Sequence, residues 1–248
     1  MATAKGVVSS ITRFGRNEPW SLQIGRGQIT MHEQLNIFGY QTAVSSTYVP
    51  AWEVLGVYTY PASAVIMTVT STSASDTAVS VLIRGLDANY NRITETVVLN
   101  GTASILTTQA FLRINGLIAT VGNAVGTITV KNNSVTYGQI AIGVGESHMS
   151  IYTVPKGYTM YVEQTDAWSS TSVTSGVFAT FRNQYTDPIG VQRVATQAPF
   201  LTNLNIVRTY PISYPETSDV QFQFRSSGAG LAIGCLVEGL LIKDDSQG

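Results

Sequence analysis

The chain has 248 residues, of which 44% are hydrophobic and only 12% charged, with a formal net charge of −1. That is enough apolar material for real cores, which excludes wholesale disorder. The near-zero balance leaves no electrostatic footprint for nucleic acid or an anionic membrane. The 14 Lys and Arg residues are scattered, and the one local basic cluster is Arg13, Arg16 and Arg26. Charged residues are used at about half the roughly 25% of ordinary soluble domains. Ser, Thr, Asn, Gln and Gly take their place, a composition suited to extensive contact surfaces. A single cysteine, Cys235, excludes an intrachain disulfide, and its setting LAIGCLVEGLLI predicts a buried, inert thiol.

The opening MATAKGVVSSITRFG has no apolar h-region, so no signal peptide is expected. No stretch reaches the ~18 apolar residues of a membrane span. The expectation is a soluble chain made in a cytosol. Residues from Met1 to about Tyr40 read as irregular, with isolated anchors such as Phe14, Trp20, Leu22, Ile29 and Phe38 and no long periodic run. An extended segment of this kind cannot bury enough surface to order itself, so it docks either on the following domain or on a neighbouring subunit. The run TYVPAWEVLGVYTYPASA is rich in Tyr and Trp, and Pro50 and Pro61 argue against a helix there. These aromatics are expected to plug one end of a sandwich.

From Val65 to Val130 the period is two. Val79, Val81 and Ile83 alternate with Ser80, Leu82 and Arg84, the pattern of a half-buried strand. GLDANYN turns the chain, and Ile93, Glu95 and Val97 begin the return strand. Phe111–Val121 then follows a short Thr-rich connection, and Gly126–Lys131 is the next run. After the break IGVGESHMS, a second set of strands is predicted at Ser150–Val154, Tyr158–Gln164, Val177–Asn183, Ile189–Ala195, Ile206–Ile212, Val220–Arg225 and Leu231–Ile242. Turn signals separate them, among them Pro155–Gly157 and Thr186–Gly190. No internal repeat of fixed period is visible. The expected fold is all-β: an extended N-terminal arm over 1–57, then two antiparallel β-sandwich domains, Ig-like over 58–145 and jelly-roll-like over 146–248.

Chemistry is sparse. The two histidines, His32 and His148, stand in an arm and a break, and no serine lies in a G-x-S-x-G elbow. Two His and one Cys at these positions show no zinc-ligand spacing. Asp87, Asn89 and Asn91 resemble the start of a calcium loop. Arg92 and Val98, however, occupy the places that need glycine and the bidentate glutamate, so a hairpin turn is expected instead. Glu95, Glu163, Asp166 and Asp187 are the carboxylates a glycosidase would draw on. Trp168, Tyr185, Tyr210 and Tyr214 are the aromatics a sugar-binding surface would use. GRG at Gly25–Gly27 and GVG at Gly143–Gly145 are too short for a phosphate loop. No catalytic, cofactor-binding or metal-ligating residue is assigned, and no cofactor is expected.

The runs WEVLGVYTYPASA, TSTSASDTA, VLIRGLDANYNRITETVVLNGT, FLRINGLIATVG and GTITV resemble a virion structural protein of tailed bacteriophages, of the type found in cyanophages and other marine phages. IYTVPKGYTMYV resembles the opening strand pair of the β-sandwich that follows in such proteins. The likeness spans about Trp52 to Val162, and its motifs are structural. It implies a non-enzymatic virion component, made in the host cytoplasm, that contacts the major capsid protein or other virion subunits and itself, as a homo-oligomer such as a trimer. A capsid decoration or cement protein is the leading expectation. A tail, neck or fibre-base component and a carbohydrate-binding host-surface module are the alternatives. Neither nucleic acid nor membrane is an expected partner.

Overall fold

The computed structural model describes residues 18–170, 176–228 and 230–244. Apart from one short helix, α1 (Trp20–Gly25), the regular elements among them are all strands. In chain order these are β1 (His32–Val44), β2 (Val49–Pro50), β3 (Val65–Ser71), β4 (Ser80–Leu86), β5 (Arg92–Val98), β6 (Ile105–Phe111), β7 (Arg113–Val121), β8 (Ile128–Asn132) and β9 (Val135–Ile140). They continue as β10 (Ile151–Thr153), β11 (Tyr158–Ser169), β12 (Ala179–Thr186), β13 (Gln192–Phe200), β14 (Asn203–Tyr214), β15 (Asp219–Ser226) and β16 (Leu231–Lys243). Every ladder is antiparallel. No helix among the described residues is long and apolar enough to cross a membrane.

The strands form four sheets around two cores. In the first unit, the sheet β6-β3-β8-β9 faces β5-β4-β7, and Met67, Val69, Ile83, Phe111, Ile128 and Val130 fill the space between them. In the second unit, β1-β16-β11-β14 faces β10-β15-β12-β13, with β2 also pairing β15. Its core holds Phe181, Phe222, Phe224, Tyr214, Ile233 and Cys235. Alternation dictates these choices. In DVQFQFRS, Val220, Phe222 and Phe224 face inward while Gln221, Gln223 and Arg225 take the opposite face.

Two expectations are corrected. The Thr-rich connection before Phe111 is strand β6. Thr107 is buried, and its hydroxyl accepts the Met67 N–H at 2.9 Å, so a polar β-branched residue sits inside the sheet. The segment read as irregular up to Tyr40 contains α1 and most of β1, whose ladder with β16 runs from His32↔Ile242 to Val44↔Leu231. Its pattern is concealed because Gly39 and Gln41 occupy inward positions. A Cβ on Gly39 would collide with the Ala51 carbonyl and with Ser150, so the sheet needs glycine there. Residues 32–50 of the expected arm therefore belong to the second unit's sheets. Of the rest of that expected arm, Met1–Asn17 lies outside the described residues, as does the tail beyond Asp244.

The topology repeats, although without a fixed period. The order β9-β8-β3-β6 in the first unit matches β1-β16-β11-β14 in the second, and β7-β4-β5 matches β15-β12-β13. The chain thus runs twice through one strand order, first over β1–β8 and again from β9 to β16, but the leading strand of each run pairs in the other unit. β1 lies on β16, and β9 lies on β8. The segments following them cross between the units. β2 and β10 share β15 as partner, and Trp52 bridges Met149 where the two segments pass. Ser150 seals the crossing: its N–H donates to the Ala51 carbonyl at 2.8 Å and its hydroxyl to the Phe222 carbonyl at 2.6 Å.

The turn between the second and third strands of each unit carries the same device one hundred residues apart. Asp87 Oδ1 accepts the N–H groups of Asn89 and Asn91 at 2.8 and 2.9 Å. Asp187 Oδ1 accepts those of Ile189 and Val191 at 3.2 and 2.8 Å. Tyr90 and Gly190, at equivalent places, have φ of 62° and 83°.

Candidate functional site

The sequence candidates for chemistry do not converge. His148 Nδ1 lies 3.1 Å from Glu53 Oε1, and its ring meets Phe38 edge-on at 4.7 Å. His32 Nδ1 lies 3.0 Å from the Thr30 carbonyl, with its ring against Trp20. Each imidazole ties down its own neighbourhood. Cys235 is fully enclosed, and burial, together with the nearby Asp166 charge, pushes its thiol far above the ordinary range, so no thiolate is on offer. Among the described residues, no group of three or more His, Cys, Asp or Glu side chains is placed to hold a metal ion.

Asp87, the calcium look-alike, has both carboxylate oxygens turned onto its own turn, Oδ2 accepting the Asn91 amide at 3.0 Å. Burial works to raise its pKa, but the hydrogen bonds from Asn91 and Asn89 and the Lys156 charge hold the carboxyl below its ordinary value. Glu95 Oε1 and Oε2 accept the Thr108 and Gln109 N–H groups at 2.7 and 2.9 Å, lacing β5 to β6. Asp187 pairs with Arg193 at 2.8 Å. Asp166 accepts from Gln164 and Asn205, and Glu163 lies exposed on β11. The aromatics are equally dispersed. Trp168 stacks on Phe38 at 5.9 Å across Gly234, Tyr214 is buried and accepts the Asn183 amide at 2.6 Å, and Tyr185 packs edge-on to Tyr214. Tyr210, at 86% exposure, stands by itself on β14.

What the sequence does not disclose is the joint between the units. Arg113, on β7, donates from Nε and Nη2 to the two carboxylate oxygens of Asp219, on β15, both at 2.8 Å. The side chains are only 9% and 12% exposed. The guanidinium also donates to the Pro61 and Leu112 carbonyls at 3.1 and 2.9 Å and lies over the Tyr60 ring at 4.6 Å. Thr153 adds a hydroxyl bond to Asp219, while Asn115 and Thr153 exchange two bonds at 2.9 and 3.0 Å. Beside this rivet lies a cleft of about 830 Å³ lined by residues of both units, including Glu33, Arg92, Asn115 and Tyr152. Its charges answer one another across it, with Arg92 Nη1 2.7 Å from Glu33 Oε1. The cleft is part of the joint.

On the free side of the second unit, β13 and β14 form the edges of facing sheets. Val194, Val207 and Tyr210 are exposed there, with Ile189 and Leu201 at the strand ends. Opposite Glu163 the β11–β14 register slips, leaving Arg208–Pro211 without ladder partners. Pro199, Pro211, Arg193 and Arg208 interrupt the two edges. Such features discourage strand addition, so this side offers side-chain contacts.

No family model matches the chain, and no curated protein matches it. Among solved structures, the chain is similar to "Structure of infectious bursal disease virus Gx strain" at 11% identity and a TM-score of 0.23, covering 87% of this chain and 73% of that one. It is similar to the infectious bursal disease virus VP2 subviral particle at 10% identity and a TM-score of 0.16, covering 87% and 77%. Likeness this slight assigns neither fold nor function to the chain.

Proposed function

We propose that the chain is a non-enzymatic structural protein of a virus particle. Within that class we read it as a capsid decoration or cement protein of a tailed bacteriophage, bracing contacts between capsid subunits. The strand order shared by the two units is read as a jelly roll in both; in each, the four-stranded sheet faces a sheet of the strands that remain. The observation that carries the proposal is where the polar chemistry is spent. Carboxylates, imidazoles and guanidiniums are used to close turns and to rivet the two units, while apolar side chains stand exposed along a free side. That division suits a brace. The resemblance of the first unit's runs to tailed-phage virion proteins supports the same setting. Its partners would be the major capsid protein or other virion subunits and further copies of itself, with Met1–Asn17 and its basic residues as a docking arm.

The test is copy number. Quantitative gel densitometry of purified particles should place the protein in the hundreds per particle. About a dozen copies would instead indicate a tail, neck or fibre-base part, which commonly has low-order closed symmetry. Loss of host polysaccharide on incubation with the purified protein would contradict the non-enzymatic reading.

A further inference from the structure

We propose that the outer face of the β10-β15-β12-β13 sheet carries a carboxylate-binding site formed by Arg182, Arg225 and Tyr48, and that it receives an acidic segment of a neighbouring protein subunit. The inference rests on the structural role proposed above and names the chemistry of one contact.

Alternation makes the site. Phe181, Phe222 and Phe224 point into the core, which sends Arg182, Gln223 and Arg225 to the opposite face. The register sets Arg182 opposite Gln223 and Thr180 opposite Arg225, so the two arginines are diagonal neighbours. Tyr48, on the approach to β2, reaches the same place. Arg182 Cζ lies 3.9 Å from its ring centroid and Arg225 Cζ 4.8 Å. Arg182 Nε and Nη2 donate to Gln223 Oε1 at 3.0 and 2.6 Å, and Gln223 passes the chain on to Gln221 at 2.7 Å.

Arg26, Arg92, Arg113 and Arg193 each have a carboxylate within 2.8 Å. Among the described residues, Arg182 and Arg225 form no such pair. Two like charges therefore share one aromatic ring, with no carboxylate paired to either among the described residues. Burial, and then the Arg225 charge, draws the Arg182 guanidinium below its ordinary pKa, with Tyr48 opposing. The Tyr48 hydroxyl is shielded from solvent and has no hydrogen-bond partner.

The groups left over are the remaining guanidinium N–H donors and one phenol, which can donate its proton. Two adjacent cations select an anion, and planar guanidinium matches a carboxylate edge in a bidentate fork. A nucleic acid would need a broad basic field, which a chain of net charge −1 does not supply. An acidic side chain presented by an adjoining subunit meets the requirement.

The full chain is titrated with hexaglutamate, hexaglutamine and inorganic phosphate at low salt, following the arginine Nε–H signals by NMR. Hexaglutamate should bind and hexaglutamine should not, with affinity falling as salt is added. Arg225→Gln, at an exposed position, should weaken binding about tenfold, as should Arg182→Gln, while the paired Arg193→Gln should leave it unchanged. Hexaglutamate binding that survives both Arg225→Gln and Arg182→Gln, or no binding at all, overturns the site. Phosphate binding as tight as hexaglutamate overturns its assignment to carboxylate. Incorporation into particles is scored separately. A protein that binds hexaglutamate through these arginines but is absent from particles keeps the site and loses the virion role. Particle incorporation that is unchanged in Arg225→Gln keeps the virion role and overturns the site as a subunit contact.

Discussion

Arg113 and Asp219 are 106 positions apart in the chain, and their ion pair ties the two units through two hydrogen bonds. Neither residue has a neighbourhood in sequence that marks it, so no local reading could have paired them. Asp87 is the opposite case: its partners are two and four residues away, and the turn it closes was readable from DANYN alone. The cost of losing each differs accordingly. Arg113→Met leaves a carboxylate buried without its counter-charge, and the expected loss is about 3–5 kcal/mol, measured by urea unfolding followed through tryptophan fluorescence.

Asp76 gives a pH-dependent counterpart. It accepts from the Ser71 hydroxyl and from the Val125 and Gly126 N–H groups, the latter two at 2.9 and 3.0 Å. Burial opposes ionisation, but these bonds win and hold the folded-state pKa below the ordinary value. A depressed carboxyl contributes stability that is present above the unfolded-state pKa of about 3.9 and is lost as pH falls through the folded value. Asp76→Asn should therefore lower the melting temperature at pH 7 and make a shrinking difference as the pH drops below about 4. An equal difference at both ends of that range would refute the assignment.

At the scale of elements, what could be read from sequence was what alternation shows. Within the second unit, β10–β16 are each legible as a strand, with ends that differ by up to five residues, where apolar residues recur at inward positions. β6 escaped because a buried threonine replaces an aliphatic residue, and β1 escaped because glycine and glutamine sit in its inward row. These exceptions are packing demands made by distant chain segments, Ala51 and Ser150 at Gly39 and Met67 at Thr107. Gly239 makes the same point on β16, where an added Cβ would strike the Tyr161 carbonyl of the neighbouring strand. Because the obstacle is backbone, Gly239→Ala should destabilise the protein by about 1–3 kcal/mol, read from the same urea transition.

Truncation tests the docking role proposed for the first residues apart from the sheet. Removing Met1–Asn17 should leave a protein with unchanged melting temperature that no longer joins particles. Removing everything before Ser45 strips β16 of its partner strand and should abolish cooperative folding of the second unit. Circular dichroism and co-sedimentation with particles distinguish the two outcomes.

The whole molecule is a tandem of one strand order with its leading strands exchanged, and that was invisible in the sequence. A strand tolerates almost any set of residues that alternates, so two units can keep a topology without keeping an identity. The connections also differ in length, which removes any fixed period. Only the aspartate turns at Asp87 and Asp187 preserve a visible trace. Exchange has a mechanical consequence. Each unit contains a strand that belongs covalently to the other run, and Arg113–Asp219 fastens the crossing, so the two cores should melt in one calorimetric transition. Two separated transitions would contradict the interlock. Two units interlocked in this way suit the proposed role on a particle surface. The measurement that bears most directly on that role is low-resolution imaging of particles in which this protein carries a label. The label should lie in many copies over the capsid surface. Particles that assemble normally and carry no label anywhere would contradict the virion assignment.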